Sequence, residues 1–508
     1  MTGERARADY AMLGLAAFVL LWDLWAILVD RRLTLGLDCH AYHPLRILAG
    51  ELPWSDLVHG KSPLVELLSL LAITSVGKLP LCTRLIPVLC HVVMVGQTYD
   101  LGRRVGRSAA AGLLAALSAA TFPAVVGWAR LDFPDFVVVC PILGALQLMV
   151  RIERLERVGA AVALGLVLGL GLLTKLTFAL YLLAPGLYFA VTRVRGRRGV
   201  RCAAAAAGVA AALAAPWALL NLGQLGRLMV QSATDSGETV LDKVLVYASL
   251  PGAAALVLAA CLAAVYLWLR RRRGDRWDLG LLMAFVIGAL VLLVLVFDSA
   301  TRYSVALFPV AAVLVGAGFA DAAARAPGSL RRAASVGLAA ALLGSFVWTN
   351  LRAPLPAGVD RERGEGMVAP DQRPHDALVR SLAAARRAGD SLMIIVDHEY
   401  TQENLAVPLL VLGRRGLLPE LLTLPRAREL LARGERVPVL MARFRGELKL
   451  KRKLVYYYYP PEGLRNELPP AIPGMRERFV WVLEHPRRRR LSILSDGYGI
   501  HLSTHVLF

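Results

Sequence analysis

The chain has 508 residues, of which 56% are hydrophobic and 44 are glycine, and a formal net charge of +20. With a mean hydropathy of +0.54 it carries too many unbroken apolar runs for a water-soluble protein, and it reads as a polytopic membrane protein. The charge does not mark a nucleic-acid binder: the arginines stand in short clusters between apolar runs, the distribution that orients membrane helices, and not along a groove.

Apolar runs fall at 11–29, 80–101, 109–128, 133–150, 159–174, 176–192, 202–222, 249–269, 279–297, 303–321 and 333–350, about eleven spans. The first continues into Asp-Leu-Trp-Ala-Ile-Leu-Val-Asp with no small-residue cleavage site, so a retained helix is expected and not a signal peptide. Residues 63–77 are apolar but short and predict a helix at the membrane surface inside the first outer loop, 30–79. The closely spaced glycines of Leu164–Leu172 predict close helix packing and not a phosphate loop. Of the six cysteines only Cys39 lies away from an apolar run, so no disulfide framework is expected.

Arginines recur at every second connection: Arg5 and Arg7; Arg103, Arg104 and Arg107; Arg151, Arg154 and Arg157; Arg193 to Arg201; Arg270 to Arg276; Arg325, Arg331 and Arg332. The positive-inside rule makes that side cytoplasmic and the clusters topological anchors. The opposite face then receives the loop 30–79, the turn 127–135, Leu173-Thr174-Lys175, the segment 223–248 and residues 298–303. Charge beside hydrocarbon costs ~2.5–3.5 kcal/mol per residue, so ionisable groups there line cavities and pair. Asp132, Asp135, Lys175 and Arg302 are therefore read as one polar cavity on the extracytoplasmic side.

Residues 353–508 change character, with more charge and proline and strand-like runs at 391–397, 437–443, 453–459, 478–484 and 490–496. Helical patterning lies between them, which predicts a small α/β domain, extracytoplasmic by the parity of eleven spans. The expected domains are thus 1–352, transmembrane, and 353–508.

The motifs of the first part resemble, in order and spacing, the glycosyltransferase family 39 type of GT-C membrane enzymes, which includes protein O-mannosyltransferases and the lipid A aminoarabinose transferase. The residues that carry the resemblance are Asp38, Tyr42, Ala49-Gly50-Glu51-Leu52-Pro53-Trp54-Ser55-Asp56, Lys61-Ser62-Pro63-Leu64, Gly77 with Arg84-Leu85-Ile86-Pro87, Ala129-Arg130-Leu131-Asp132-Phe133-Pro134-Asp135, Gly169 to Lys175, and Arg302-Tyr303 with Pro309. They cover about residues 10–350. The resemblance implies an all-α GT-C-like membrane domain in the bacterial plasma (inner) membrane. It implies an inverting glycosyltransferase moving a sugar from a polyprenyl-phosphate donor to a hydroxyl on a lipid, glycan or protein acceptor.

The roles it implies are specific. Asp38 would be the base or orienting carboxylate, with a loop carboxylate as the plainer reading; Asp132 and Asp135 would orient the sugar or Lys175. Lys61, Lys175 and Arg302 would face the lipid-linked phosphate, where negative charge accumulates on the leaving group, or serve as counter-ions to Asp132 and Asp135. Tyr303 would donate to the same phosphate or anchor the interface, and Tyr42, Arg130 and Asp56 complete the binding set. His40, His43 and His59 are read as hydrogen-bonding loop residues and not metal ligands, because their spacing fixes no coordination geometry. Cys39 stands where the family carries the second acid of its pair, and Gly60 where some members have an acid, so no cofactor is expected, and a divalent cation stays open but without support. The rival readings are a polyprenyl-lipid transporter or flippase, whose internal repeats and broken helices the sequence does not show, and a catalytically silent lipid-binding relative.

Overall fold

The computed structural model describes residues 2–29, 44, 47–48, 63–76, 82–131, 134–220, 239–248, 250, 252–271, 276–297, 301–352, 392–396, 421–422, 439–444, 456–457, 489–495 and 498–505. The chain forms two compact units, one of Met1–Asp30, Lys61–Val65 and Leu85–Glu362, the other of Arg31–Gly60, Glu66–Arg84 and Arg363–Phe508.

The first unit is helical. Each expected span meets a helix: α1 (Thr2–Val29), α3 (Leu85–Val105), α4 (Ala109–Thr121), α7 (Val139–Arg151), α8 (Val158–Thr174), α9 (Thr177–Arg193), α10 (Gly196–Leu220), α12 (Ala253–Arg270), α13 (Trp277–Leu295), α14 (Leu307–Arg325) and α15 (Gly328–Arg352). The shorter α2 (Pro63–Val76) is the helix expected inside the first loop; from Glu66 on it belongs to the second unit, as does the 3-10 turn Cys82–Arg84. Among the described residues seven helices are long and apolar enough to cross a membrane, and the chain is a multi-pass membrane protein.

Two expected spans are broken, for local reasons. Pro123 opens a separate helix, α5 (Pro123–Trp128), and holds Phe122 extended at φ −68°, ψ 125°, because the residue before proline is pushed out of the helical region. The span expected at 133–150 is likewise divided into α6 (Pro134–Val137) and α7. The structure adds α11 (Val240–Ala248), inside a segment expected only as an outer connection.

Small residues let the helices approach. A Cβ added to Gly165 or Gly169 of α8 would lie 2.5 Å from the Ala206 carbonyl or 2.7 Å from the Leu213 side chain, both on α10. The glycine run thus packs α8 on α10, as expected of small residues between membrane helices. On the other side, Gly112 of α4 lies against Tyr99 of α3, and Gly316 of α14 against Ala111 and Ala115 of α4. Ser108 caps α4 by accepting from the Ala111 amide at 3.2 Å.

In the second unit a mixed six-stranded sheet has the order β2 (Leu421–Leu422), β1 (Leu392–Val396), β3 (Val439–Phe444), β4 (Tyr456–Tyr457), β6 (Tyr498–His505), β5 (Arg489–Ser495). β1 is parallel to β2 and β3, while β5 and β6 are antiparallel, registered from Arg489 with Thr504 to Ser495 with Tyr498. β1, β3, β4 and β5 coincide with expected runs. β6 was not expected, and the run at 478–484 and the two helical stretches lie outside the described residues.

Candidate functional site

The site is built where α8 gives way to α9. Thr174 closes α8 by donating its hydroxyl to the Leu170 carbonyl at 2.8 Å, and Lys175 follows in extended conformation at φ −163°, ψ 135°. Gly171 permits this turn: a Cβ there would fall 2.4 Å from the Phe178 ring, which is buried beneath it. The Gly-Leu-Leu-Thr-Lys run therefore codes a helix end, a break and a cation at the break.

That cation meets a carboxylate from another helix. Lys175 Nζ donates to Asp135 Oδ1, and the guanidinium of Arg302 stands 3.8 Å from Asp135 Oδ2. Asp135 is 4% exposed, on the short helix α6, which packs against both α3 and the 3-10 turn Thr301–Ser304 that carries Arg302. Tyr303 lies beside both cations, with Lys175 Nζ 4.8 Å and the Arg302 guanidinium 5.0 Å from its ring centre. Phe297 stacks on Tyr303 at 4.5 Å, and Tyr181 of α9 donates to the Tyr303 carbonyl, so the ring is held between fixed neighbours. Two cations facing one carboxylate leave a formal excess of one positive charge, a composition that suits an anion.

A second buried cluster lies behind the turn Ala129–Leu131. Asp23 of α1 accepts from Arg130 Nε at 3.0 Å, and its other oxygen is 2.6 Å from His91 Nδ1 of α3. All three side chains are buried. The His91 ring also meets Phe136 of α6 edge to face at 5.9 Å, so α6 lies between His91 and the Lys175–Arg302 pair.

The sequence expectation thus divides. Asp135, Lys175, Arg302 and Tyr303 come together, while Arg130, five residues before Asp135, is paired with Asp23. Asp38, Tyr42, Asp56, Lys61 and Asp132 lie outside the described residues, as do Cys39, His40, His43, His59 and Gly60. Arg84 is buried in its 3-10 turn. Among the described residues no three His, Cys, Asp or Glu side chains gather as a metal site would require.

Three polar residues were missed. Asp23 and His91 sit inside apolar runs, and an ionisable residue within a span was the available signal. Lys243, buried on α11, belongs to a helix that packs against the turn of Arg302. Its segment had been read only as a connection.

Comparisons with known proteins follow this geometry. A family model described as dolichyl-phosphate-mannose-protein mannosyltransferase matches residues 61–219. In structure the chain is similar to ArnT from Cupriavidus metallidurans bound to undecaprenyl phosphate, with TM-score 0.59 and 14% identity over 98% of each chain. It is also similar to the apo state of that protein, with TM-score 0.53 and 14% identity over 86% of this chain and 93% of that one. No curated protein matches the sequence. The fold is therefore that of the ArnT structures, in keeping with the all-α membrane domain that the motifs implied.

Proposed function

We propose that this chain is a membrane glycosyltransferase that moves a sugar from a polyprenyl-phosphate donor to an acceptor hydroxyl at the extracytoplasmic face. The observation that carries the reading is the buried Asp135 bracketed by Lys175 and Arg302 at an aromatic-lined break between helices. The match over residues 61–219 and the similarity to a protein solved with undecaprenyl phosphate support it.

In this scheme the lipid-linked phosphate lies against Lys175 and Arg302, joined by Lys61 from the first outer loop and by the Tyr303 hydroxyl. Asp38 accepts the proton of the acceptor hydroxyl as its oxygen attacks the anomeric carbon from the face opposite the phosphate. The bond from that carbon to the phosphate oxygen breaks, its electron pair stays on the phosphate, and the configuration inverts. Cations matter most at that moment, because the phosphate gains charge in the transition state. Asp135 holds the two cations in place and keeps them from an unpaired state before the donor arrives. The binding roles that the motifs imply for Tyr42 and Asp56, and the orienting role of Asp132, belong to the same scheme. No step is routed through a divalent cation, because Cys39 and Gly60 leave Asp38 without the neighbouring acids a family-type metal site uses.

Purified protein in lipid, given polyprenyl-phosphate sugars labelled in the sugar, should release polyprenyl phosphate and pass the label to an added envelope lipid, glycan or protein fraction. Donor binding with no transfer to any fraction would make the chain a silent lipid-binding relative. Movement of intact donor between leaflets of sealed vesicles, without cleavage, would make it a flippase.

A further inference from the structure

Asp23 and His91 have no part in the scheme above, yet both are 1% exposed and sit inside membrane helices, where a carboxylate is costly to place. Their geometry with Arg130 differs from an ordinary ion pair. Arginine and a carboxylate usually meet fork on fork, with two parallel N–H donors on two oxygens. Here Arg130 gives only Nε to Oδ1 of Asp23, while His91 Nδ1 donates to the other oxygen. A carboxylate only accepts, so His91 is the donor through Nδ1. The Arg130 terminal NH2 group is left buried with no hydrogen-bond partner among the described residues. A buried guanidinium with an unused donor edge is expensive unless a ligand completes it. Arg130 lies five residues before Asp135 of α6, whose Phe136 rests edge-on against His91.

We infer that Asp23 and His91 are positioning residues for Arg130: Asp23 holds its guanidinium by Nε, and His91 blocks the second carboxylate oxygen, so that the terminal NH2 edge is offered to the anionic end of the substrate. The inference rests on the donor-phosphate reading of the Lys175–Arg302 site. It predicts that binding and stability respond differently to the same substitutions. Asp23→Asn removes the charge that fixes Arg130. His91→Leu frees the second oxygen, lets Arg130 close its fork on Asp23, and withdraws the NH2 edge.

The test titrates the full-length protein in lipid nanodiscs with undecaprenyl monophosphate, and follows affinity together with the thermal midpoint of the unliganded protein. Asp23→Asn and Arg130→Gln should each weaken binding roughly ten-fold, the loss of one charge-assisted hydrogen bond. The double variant, which leaves no buried charge unpaired, should bind no worse than Arg130→Gln alone. His91→Leu should weaken binding while the unliganded midpoint stays at or above that of the parent, and Asp23→Glu should recover part of the affinity. Additive losses in the double variant, or a His91→Leu protein with a lower midpoint and unchanged affinity, would make the cluster structural. Lys175→Ala and Arg302→Ala serve as references. If they weaken binding and the Asp23 and His91 variants do not, the positioning inference alone fails. If they leave affinity intact, the phosphate reading fails and takes the inference with it.

Discussion

The two ends of the helical unit handle carboxylates in opposite ways. At the arginine-rich end Asp100 of α3 collects Arg103, Arg104 and Arg151, at 3.1, 3.0 and 2.6 Å, and Arg104 and Arg151 are 38% and 44% exposed. Asp321 with Arg325 and Tyr266 repeats the arrangement, with Arg325 51% exposed, whereas Asp278 with Arg271 is mostly covered, at 15% and 11%. At the other end Asp135 and Asp23 are nearly sealed from solvent, and each has two partners from other segments of the chain. Exposed pairs of the first kind contribute ~0–1 kcal/mol and are screened, so that end can exchange partners freely. Buried groups of the second kind cost several kcal/mol to desolvate and are strongly destabilising when one partner is lost. A chain keeps such groups beside a membrane where chemistry uses them. On the proposed function, the asymmetry separates an anchoring end from a working end.

The largest effect expected is all or none, and it concerns which end faces out. Single cysteines placed at Ser55 and Ser391 should react with an impermeant thiol reagent in cells stripped of any outer barrier, and one placed at Gly274 should not. Reaction at Gly274 with protection at Ser391 would reverse the orientation and put the Lys175–Arg302 site in the cytoplasm. Next in size is Asp38→Asn, which keeps the shape of the side chain and removes its basicity. Turnover should fall by roughly two to four orders of magnitude with donor affinity little changed, the loss typical of a general base. A fully active Asp38→Asn protein would move the role to Glu51, Asp56 or Asp132.

A third test stays on the cation pair. Lys175→Ala and Arg302→Ala should each weaken donor binding about ten- to a hundred-fold, the worth of a charged hydrogen bond. Lys175→Arg should keep most of the affinity, and Arg302→Lys less of it, because an ammonium cannot reproduce a planar fork. If alanine at both positions lowered only the yield of folded protein, the working end would be no more than a buried anchor for Asp135.

How much of this was readable in advance follows from where the signals lie. Span order was legible because hydrophobicity is a property of whole segments, and each expected run meets a helix despite the breaks at Phe122-Pro123 and Val138. The Gly-Leu-Leu-Thr-Lys stretch, the Arg-Tyr pair and the acidic turn were legible because each joins a backbone break to a charge. The structure brings Lys175, Arg302, Tyr303 and Asp135 together across three segments. The resemblance to GT-C enzymes drawn from those motifs agrees with the family match and with the ArnT fold. The pairing of Asp23 with His91 and Arg130 was not legible, because a lone polar residue in an apolar run gives no hint of a partner 68 or 107 positions away. The strand β6 carried a signal that went unused: Asp496-Gly497 separates two alternating runs, a strong short-range mark of a hairpin, and β5 pairs with β6 across it.

The smallest expected effect is the one that would break the comparison most directly. Asp100 holds three arginines, and on a count of contacts it would outrank Asp135 with its two cations. Exposure argues the other way. Arg103 and Arg104 lie three and four residues from Asp100 on one helix, where such pairs contribute a few tenths of a kcal/mol. Arg151 ties Asp100 to a second helix, together with Gln147 of that helix at 3.4 Å, and Arg151 is half in solvent. Arg151→Ala should therefore change the thermal midpoint by no more than the equivalent of ~1 kcal/mol, and added salt should shrink the difference further. Donor affinity and turnover should stay at the parent level, since no residue of the working end touches this pair. A loss of donor binding in Arg151→Ala comparable to that of Lys175→Ala would show that the two ends are coupled, and exposure would then be the wrong measure for telling an anchor from a site.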